Sequence, residues 1–521
     1  MKRKRRRSRL GRLLRGLVVA ALCASLAILL ARAAFPLPGK VERTASTALA
    51  PATTGPLAAV VAERAQRHPG RSGIAALDNG LDAFAARALL ADAAVQSIDV
   101  QYYIWRGDLT GTLLLDALQR AAERGVRVRL LLDDLGSTGL DAELAALDAH
   151  PNAEVRLYNP FNLRRLKFAA FAFDFFRLNR RMHNKSFTVD GLATVLGGRN
   201  IADEYFGAGP MPLFLDLDVL AVGAVVPAVS ADFDRYWAAP SVYPASAILP
   251  RAGIGDPIAA DVRRLQADPR LATYAKALAG APLLPALARG DLALEWTRAR
   301  LVSDDPAKGE GAVPRDDLLL VRLMRAVGPI RQRIDGVSPY FVPGAAGVKA
   351  FAALEDKGIA VRVLTNSLAA TDGLPVHAGY ARRRPDLLRH GVRLFELRPQ
   401  AALAAPRERG PLGGSGSSLH AKTFAVDGTR VFVGSFNFDP RSTRINTEMG
   451  LLIDSEALAQ RLHGAFDSGL GAFAWEVVLR DGQLTWVDHA NGTQTTSEPG
   501  ATWPRRLLIR FIGCLPVEWL L

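Results

Sequence analysis

The chain has 521 residues, 49% of them hydrophobic, so it is long enough for two to four domains and apolar enough for large cores. Its two cysteines, Cys23 and Cys514, exclude a disulfide framework and leave the redox compartment open. The formal charge is +14, but nine Lys/Arg lie within residues 1–15; the remainder carries only about +5, so the basicity is mostly a tail.

Residues 1–35 join that tail to an uncharged run, Gly16 to Ala31, with the character of a secretory signal. Its sixteen residues are short of the roughly 20 that span a bilayer, and adding Leu13 and Leu14, with Arg15 snorkelling, brings it near that length. An uncleaved signal anchor is expected ahead of a signal peptide cleaved at the Ala31-Arg32-Ala33 step. The positive-inside rule keeps the N-terminus cytoplasmic and the rest outside the inner membrane. Ala-Ala-Leu before Cys23 lacks the small residue that a lipoprotein signal requires.

Residues 36–56, rich in Pro, Thr, Ala and Gly, read as a linker. A first unit, 57–240, follows. Its pattern predicts a strand over Ser97–Ile104, a helix from Thr112 to Arg124, a buried strand over Val126–Leu132, a helix near Leu140 to His150 and a strand over Glu154–Tyr158. Residues 159–182 interleave Phe161, Phe168, Phe173 and Phe176 with Arg164, Arg165, Lys167 and Arg181. This is a partly buried amphipathic helix or an interfacial segment among anionic headgroups, and the same interleaving in single-strand nucleic-acid binders keeps a nuclease as an alternative. Ala/Pro-rich residues 241–290 connect to a second unit, 291–480, which repeats the order: strand Gly336–Phe341, helix Ala346–Lys357, strands Ile359–Leu364 and Val392–Leu397. Gly/Ser-rich Arg407 to Ser418 is a candidate mobile lip. A tail, 481–521, mixes Arg505, Arg506 and Arg510 with Leu507, Leu508 and Phe511, which suits a membrane surface or packing onto the core. Strands alternating with helices imply a layered α/β fold.

One motif occurs twice. His183, Lys185, Asp190, Gly197, Gly198 and Asn200 have the spacing of His420, Lys422, Asp427, Gly434, Ser435 and Asn437. Tyr103 to His183 and Tyr340 to His420 both span 80 residues. This is a tandem duplication, and it suggests a pseudo-two-fold pair with one joint site. In each copy His and Lys share one face of a strand, Asp-Gly turns the chain, and a second strand returns Asn to the same place. An imidazole, an ammonium and an amide converging on one point suit a phosphate: a nucleophile, a charge and a donor. A Lys between the candidate ligands would repel a cation, so no metal or other cofactor is expected.

Both copies resemble the paired HKD motifs of the phospholipase D superfamily, over most of residues 75–480. Phe438-Asp439-Pro440-Arg441-Ser442 and Asn446-Thr447-Glu448 resemble its phosphatidyltransferase branch, the bacterial cardiolipin synthases. Asp99–Trp105 and the ending Leu515–Leu521 resemble the C-type subgroup. The resemblance implies tandem phospholipase D-like α/β sandwich domains with a shared active site, beside the N-terminal membrane segment. It implies a nucleophile at His183 and an acid/base at His420, with Lys185, Lys422, Asn200 and Asn437 on the phosphoryl oxygens. Asp190 and Asp427 complete the motif, and their turn positions suggest structural roles. Glu448, 28 residues after His420, resembles the family's carboxylate partner; Asp216 is its counterpart for His183, with Asp218 as the alternative. The implied reaction makes cardiolipin through a phosphohistidine, with phosphatidylglycerol as acceptor and phosphatidylethanolamine one candidate donor. The expected partners are these phospholipids and the inner membrane, with no nucleic acid. A hydrolytic phospholipase D and a membrane-tethered phosphodiesterase or nuclease are the alternatives.

Overall fold

The computed structural model describes residues 2–39, 41–207, 216–280, 286, 289, 292–399, 419–516 and 518–521. The candidate lip at 407–418 lies outside the described residues.

Short apolar runs closed by Gly, Asn or Asp give two mixed sheets. The first contains β1 (Ser72–Leu77), β2 (Ser97–Ile104), β3 (Arg127–Gly136), β4 (Ala153–Tyr158), β5 (Ser186–Val189), β6 (Ala193–Gly197), β7 (Asp218–Gly223), β8 (Val242–Pro244) and β9 (Glu295–Thr297). The second contains β10 (Ala299–Ser303), β11 (Arg333–Val337), β12 (Ala360–Asn366), β13 (Arg393–Leu397), β14 (Thr423–Val426), β15 (Arg430–Gly434), β16 (Met449–Ile453), β17 (Ala474–Arg480), β18 (Gln483–Asp488) and β19 (Thr493–Thr495). Their central orders, β4-β3-β2-β5-β6-β7-β1 and β13-β12-β11-β14-β15-β16-β10, are the same arrangement twice. Parallel β2 and β3 are joined by the helix Leu109–Glu123, and parallel β11 and β12 by the helix Gly344–Glu355. Parallel neighbours require such crossovers.

The β5–β6 and β14–β15 hairpins turn on Asp190-Gly191 and Asp427-Gly428, all four residues having positive φ. That is the backbone a two-residue turn between twisted strands needs. The Asp190 carboxylate accepts the backbone N–H groups of Gln96 (2.8 Å) and Ser97 (2.9 Å), and Asp427 those of Gln332 (2.8 Å) and Arg333 (3.1 Å). Each motif Asp thus ties its hairpin to the start of the neighbouring strand, β2 or β11.

The halves share a core. Leu196, Val219 and Ala221 of the first sheet pack in one buried cluster with Val433, Met449 and Leu451 of the second. Beneath β7 lies a fully buried ion pair: Arg87 Nη2 meets Asp218 Oδ2 at 2.7 Å and Arg87 Nε donates to the Tyr102 hydroxyl at 2.8 Å.

Several boundaries differ from the expected ones. The described residues of 36–55 contain no helix or strand, and Pro56 already opens the helix Pro56–Arg67, yet the backbone oxygens of Thr44, Ser46 and Thr47 accept from Arg156, Arg129 and Arg127. Arginines on β3 and β4 need acceptors, and this segment supplies them. The strand expected to reach Phe341 stops at Val337, because Pro339 has no N–H for a ladder; only a single bridge from Phe341 to Phe438 remains. β9 joins the first sheet although it follows residue 290, and β18 and β19 carry the second sheet past residue 480.

The N-terminal helix, Lys2–Ala34, contains Leu14–Ala34, which is long and apolar enough to cross a membrane and is unburied. Its last turn rests on the aromatic helix Lys167–Leu178: Arg32 Nε donates to Phe173 O (2.7 Å), and Phe35 stacks on Phe173. That aromatic-basic stretch is divided. Phe161, Phe173, Lys167 and Arg181 are buried, with Lys167 and Arg181 paired to Asp134 and Asp133, whereas Phe168 and Phe176 face outward.

Removing one partner of a buried ion pair strands the other charge. Arg87→Met is expected to destabilise the protein by about 3 kcal/mol, seen as a lowered thermal midpoint in detergent. An unchanged midpoint would contradict the packing described for β7.

Candidate active site

The chain reaches the first motif directly from the aromatic helix. There it is clipped to the other half: Met182 and Thr447 form a parallel bridge, His183 N donates to Thr447 O (2.9 Å), and Thr447 N donates to Arg181 O (3.0 Å). His183 therefore lies beside the residue before Glu448, and its Nδ1 meets Glu448 Oε2 at 2.8 Å. Across the pseudo-two-fold axis, His420 Nδ1 meets Asp216 Oδ2 at 2.6 Å.

Spacing along the chain matches Asp216 to His183 and Glu448 to His420; the structure exchanges them. The two carboxylates do hold equivalent positions, since Gly197 pairs with Asp218 and Gly434 with Gly450, placing each acid two residues earlier. The exchange arises because the sheets face one another, so the carboxylate at the head of one half's strand lies nearest the other half's histidine. Sequence distance carries no trace of that. Asp218, the alternative, points away and is held by Arg87.

The motif glycines make room for the acids. A Cβ on Gly197 would fall 2.3 Å from Asp218 Oδ1, and one on Gly198 would fall 2.1 Å from Asp216 Oδ1. Ser435 occupies the place of Gly198 in the second copy, and its hydroxyl donates to Glu448 Oε2. Glu448 is further held from the turn that follows β10 of its own half: its N–H donates to Asp304 Oδ2 (3.0 Å), an atom that also accepts Lys308 Nζ (2.7 Å). Ser435, Asp304 and Lys308 carry no assignment from sequence; Ser435 lies within the motif, whereas the other two have no local signature.

Lys185 Nζ donates to His183 O (2.7 Å), and Lys422 Nζ donates to His420 O. Both ammonium groups are buried within their own motifs. Asn200 Oδ1 accepts Ile104 N–H (3.2 Å), while Asn200 Nδ2 and Asn437 Oδ1 are buried without hydrogen-bond partners. A half-turn of the Asn437 amide would present its NH₂ group in the same direction. Tyr103 meets His183 edge-on at 5.0 Å, and Tyr205 meets His420 edge-on at 4.8 Å. Tyr103 stands in the quoted strand segment, but its contact with the histidine is not readable from it. Asp190 and Asp427, although members of the motif, are taken up by the backbone amides at the far ends of β5 and β14 and do not join the histidines. Among the described residues, no group of three or more His, Cys, Asp and Glu could hold a metal ion. The donors that converge suit an oxyanion.

Burial dominates the electrostatics. It holds the His183 imidazole well below its ordinary value, with Lys185, Lys422 and His420 adding to the effect. That coupling puts both motifs in one electrostatic site. His420 is lowered by burial and Lys422, against the opposing pull of Asp216. Burial brings Lys185 down to about 7 and Lys422 to about 8, although the acids resist both shifts. The two acids diverge. Burial alone would raise Asp216, but His420, Lys422 and Arg199 outweigh it and bring it to about 2. Burial raises Glu448 to about 7 against Lys185 and the Ser435 hydroxyl. With each Nδ1 on a carboxylate, each ring has Nε2 left for chemistry. A carboxylate that is ionised throughout the neutral range favours an imidazolium at His420; a weaker one leaves His183 a neutral base.

The family model described as "Cardiolipin synthase, PLD-like domain" matches residues 88–235 and 322–470. Cardiolipin synthase C of Escherichia coli (strain K12) is 50% identical over 471 residues, 89% of this chain and 99% of that protein. Cardiolipin synthase A of Pseudomonas entomophila (strain L48) is 28% identical over 412 residues, 78% of this chain and 70% of that protein. Among solved structures, phosphatidylserine synthase of Haemophilus influenzae Rd KW20 shares the fold, with TM-score 0.54 and 16% identity over 88% of this chain and 99% of that one. The chain belongs to the cardiolipin synthase, PLD-like domain family.

The charge states set a pH window. Below about 7 a protonated Glu448 would donate to His183 Nδ1 and leave the hydrogen on Nε2, the wrong tautomer for attack. Above about 8 Lys422 loses its charge, and Lys185 earlier still. The expected kcat/KM profile is a narrow bell that rises as Glu448 ionises and falls as Lys185, Lys422 and the His420 imidazolium lose their protons, and Glu448→Gln should remove its acid limb and cost about 10³-fold in rate. A flat profile from pH 5 to 10 would contradict this ordering.

Proposed function

We propose that this member of the family is a membrane phosphatidyltransferase that forms cardiolipin by two displacements at phosphorus. Two histidines, each held by a carboxylate from the opposite half and flanked by a buried lysine, carry the reading. The relative named cardiolipin synthase C, half identical over nearly its whole length, supports the choice of product.

In the first step His183 Nε2 attacks the phosphorus of a donor phospholipid. The bond to the headgroup oxygen breaks, and His420 gives its Nε2 proton to the departing alkoxide. A phosphatidyl group then remains on His183 through a P–N bond. In the second step a glycerol hydroxyl of phosphatidylglycerol attacks, its proton passes to His420, and His183 leaves as neutral imidazole. Lys185, Lys422, Asn200 and Asn437 receive the non-bridging oxygens as negative charge builds. The asymmetry of the acids supports this division of labour: Asp216 stays ionised and sustains the imidazolium of the acid, while the Glu448–Ser435 pair steers the nucleophile's tautomer.

Transfer instead of hydrolysis requires water to be a poor competitor. Tyr103 and Tyr205 pack edge-on against the reacting rings, and Lys185 and Lys422 are almost fully buried, which supports a water-poor site. The donor in this reading is phosphatidylethanolamine or a second phosphatidylglycerol. The N-terminal cations lie on the cytoplasmic side and the two catalytic halves on the outer side of the inner membrane.

The test is the lipid profile of a bacterial host that lacks its own cardiolipin synthases. Expression of the chain should restore cardiolipin, and His183→Ala and His420→Ala should each abolish it. Accumulation of phosphatidic acid in place of cardiolipin would make the enzyme a hydrolase, and unchanged lipids would overturn the proposal.

A further inference from the structure

The aromatic helix Lys167–Leu178 and the chain that follows the C-terminal helix Trp503–Gly513 are far apart in sequence but are tied to one residue. Arg441, just past the second motif, donates to the residue that closes the aromatic helix and to Leu521, eight residues beyond the C-terminal helix. Its Nη1 reaches Asn179 Oδ1 (2.8 Å) at the close of the aromatic helix, and its N–H donates to the backbone oxygen of Leu521 (2.8 Å). Each helix also borders the reaction centre. Four residues separate Leu178 from His183. On the other side Arg505 Nη2 donates to Thr371 O (3.2 Å), next to Asp372, whose charge acts on Lys422.

Both helices present apolar side chains outward beside the site. Phe168 is 80% exposed, Phe176 73%, Leu507 58% and Phe511 63%. Each helix also turns its other face inward, through Phe173 and Ile509, so these exposed rings are not simply the open side of loosely packed helices. Isolated exposed aliphatics need no explanation, but large aromatic and aliphatic side chains on two helices flanking one site do.

The occupant follows from the N-terminal helix. Its apolar stretch ends at Ala34, and its contact with the aromatic helix is made by Arg32 and Phe35. Those are the residues at which a helix crossing a bilayer leaves the hydrocarbon. The aromatic helix is therefore held at the level of the lipid headgroups. Arg165 and Arg510, both exposed, add positive charge beside the exposed rings, as expected where a protein meets anionic lipid.

We propose that these two helices form one membrane-contact surface on either side of the active-site mouth, seated in the anionic headgroup layer of the bilayer that the N-terminal helix enters. The inference deepens the transferase reading and rests on it for the identity of the lipids. A phospholipid would then reach His183 and His420 by lateral movement, with its phosphate rising between Phe168 on one side and Leu507 on the other, without its chains leaving the apolar layer.

The test uses the full chain with Cys23→Ser and Cys514→Ser and one new cysteine, Phe168→Cys or Leu507→Cys, carrying an environment-sensitive fluorophore. It is reconstituted in vesicles of phosphatidylglycerol and phosphatidylethanolamine. Both probes should be quenched several-fold more by a headgroup-level nitroxide lipid than by aqueous iodide. Phe176→Cys and Phe511→Cys should repeat the result. Iodide quenching that exceeds lipid quenching at either helix overturns the two-sided surface. Lipid contact should strengthen as phosphatidylglycerol replaces neutral phosphatidylcholine, and Arg165→Gln with Arg510→Gln should remove that dependence; its persistence overturns the anionic component. The readout needs no turnover. Quenched probes without cardiolipin formation would sink the transferase reading alone, and turnover with both probes in water would sink the surface alone.

Discussion

Each catalytic histidine is held by a carboxylate from the other half of the molecule, and the rest of the architecture serves that exchange. Neither half alone contains an oriented imidazole. The shared core of Leu196, Val219, Val433 and Met449 fixes the two sheets face to face, and the clip between Met182 and Thr447 sets the register in which His183 meets Glu448. A small slip between the halves would break both hydrogen bonds together. The buried Arg87–Asp218 pair braces the strand that delivers Asp216.

Duplication made the two motifs alike, and a few substitutions made them different. Gly198 leaves only enough room for the short acid Asp216, whereas Ser435 fills the matching space and donates to the longer Glu448. The consequence is electrostatic. Asp216 lies near three cations and stays ionised to about pH 2, while Glu448 is buried deeply enough to titrate near 7. A symmetric scaffold thereby holds an asymmetric acid and base, which a reaction with one nucleophile and one proton donor requires.

Much of this was legible in the sequence because it is local. The alternation around His183 and His420, the Asp-Gly turns and the 80-residue spacing from Tyr103 and Tyr340 report strands, hairpins and duplication directly, and the structure has one seven-strand order twice. What the sequence concealed is non-local. The exchange of Asp216 and Glu448 depends on how two sheets face each other. The support of Glu448 by Asp304 and Lys308 depends on a segment with no recognisable pattern. The strap at 36–56 looks like a linker because its role lies in backbone oxygens, which every residue has. The aromatic-basic stretch admitted two readings because it does both: Lys167 and Arg181 are buried ion-pair partners, and Phe168 and Phe176 face outward.

The most direct test of the division of labour is the position of the covalent intermediate. A phosphodiester whose leaving group is a nitrophenolate needs no proton from His420, so the His420→Ala variant should form the phosphohistidine and fail to pass it on. Mass spectrometry of the quenched variant should then find the adduct on His183, and His183→Ala should carry none. An adduct on His420 in the wild-type chain, or cardiolipin formation that persists in His183→Ala, would contradict the account.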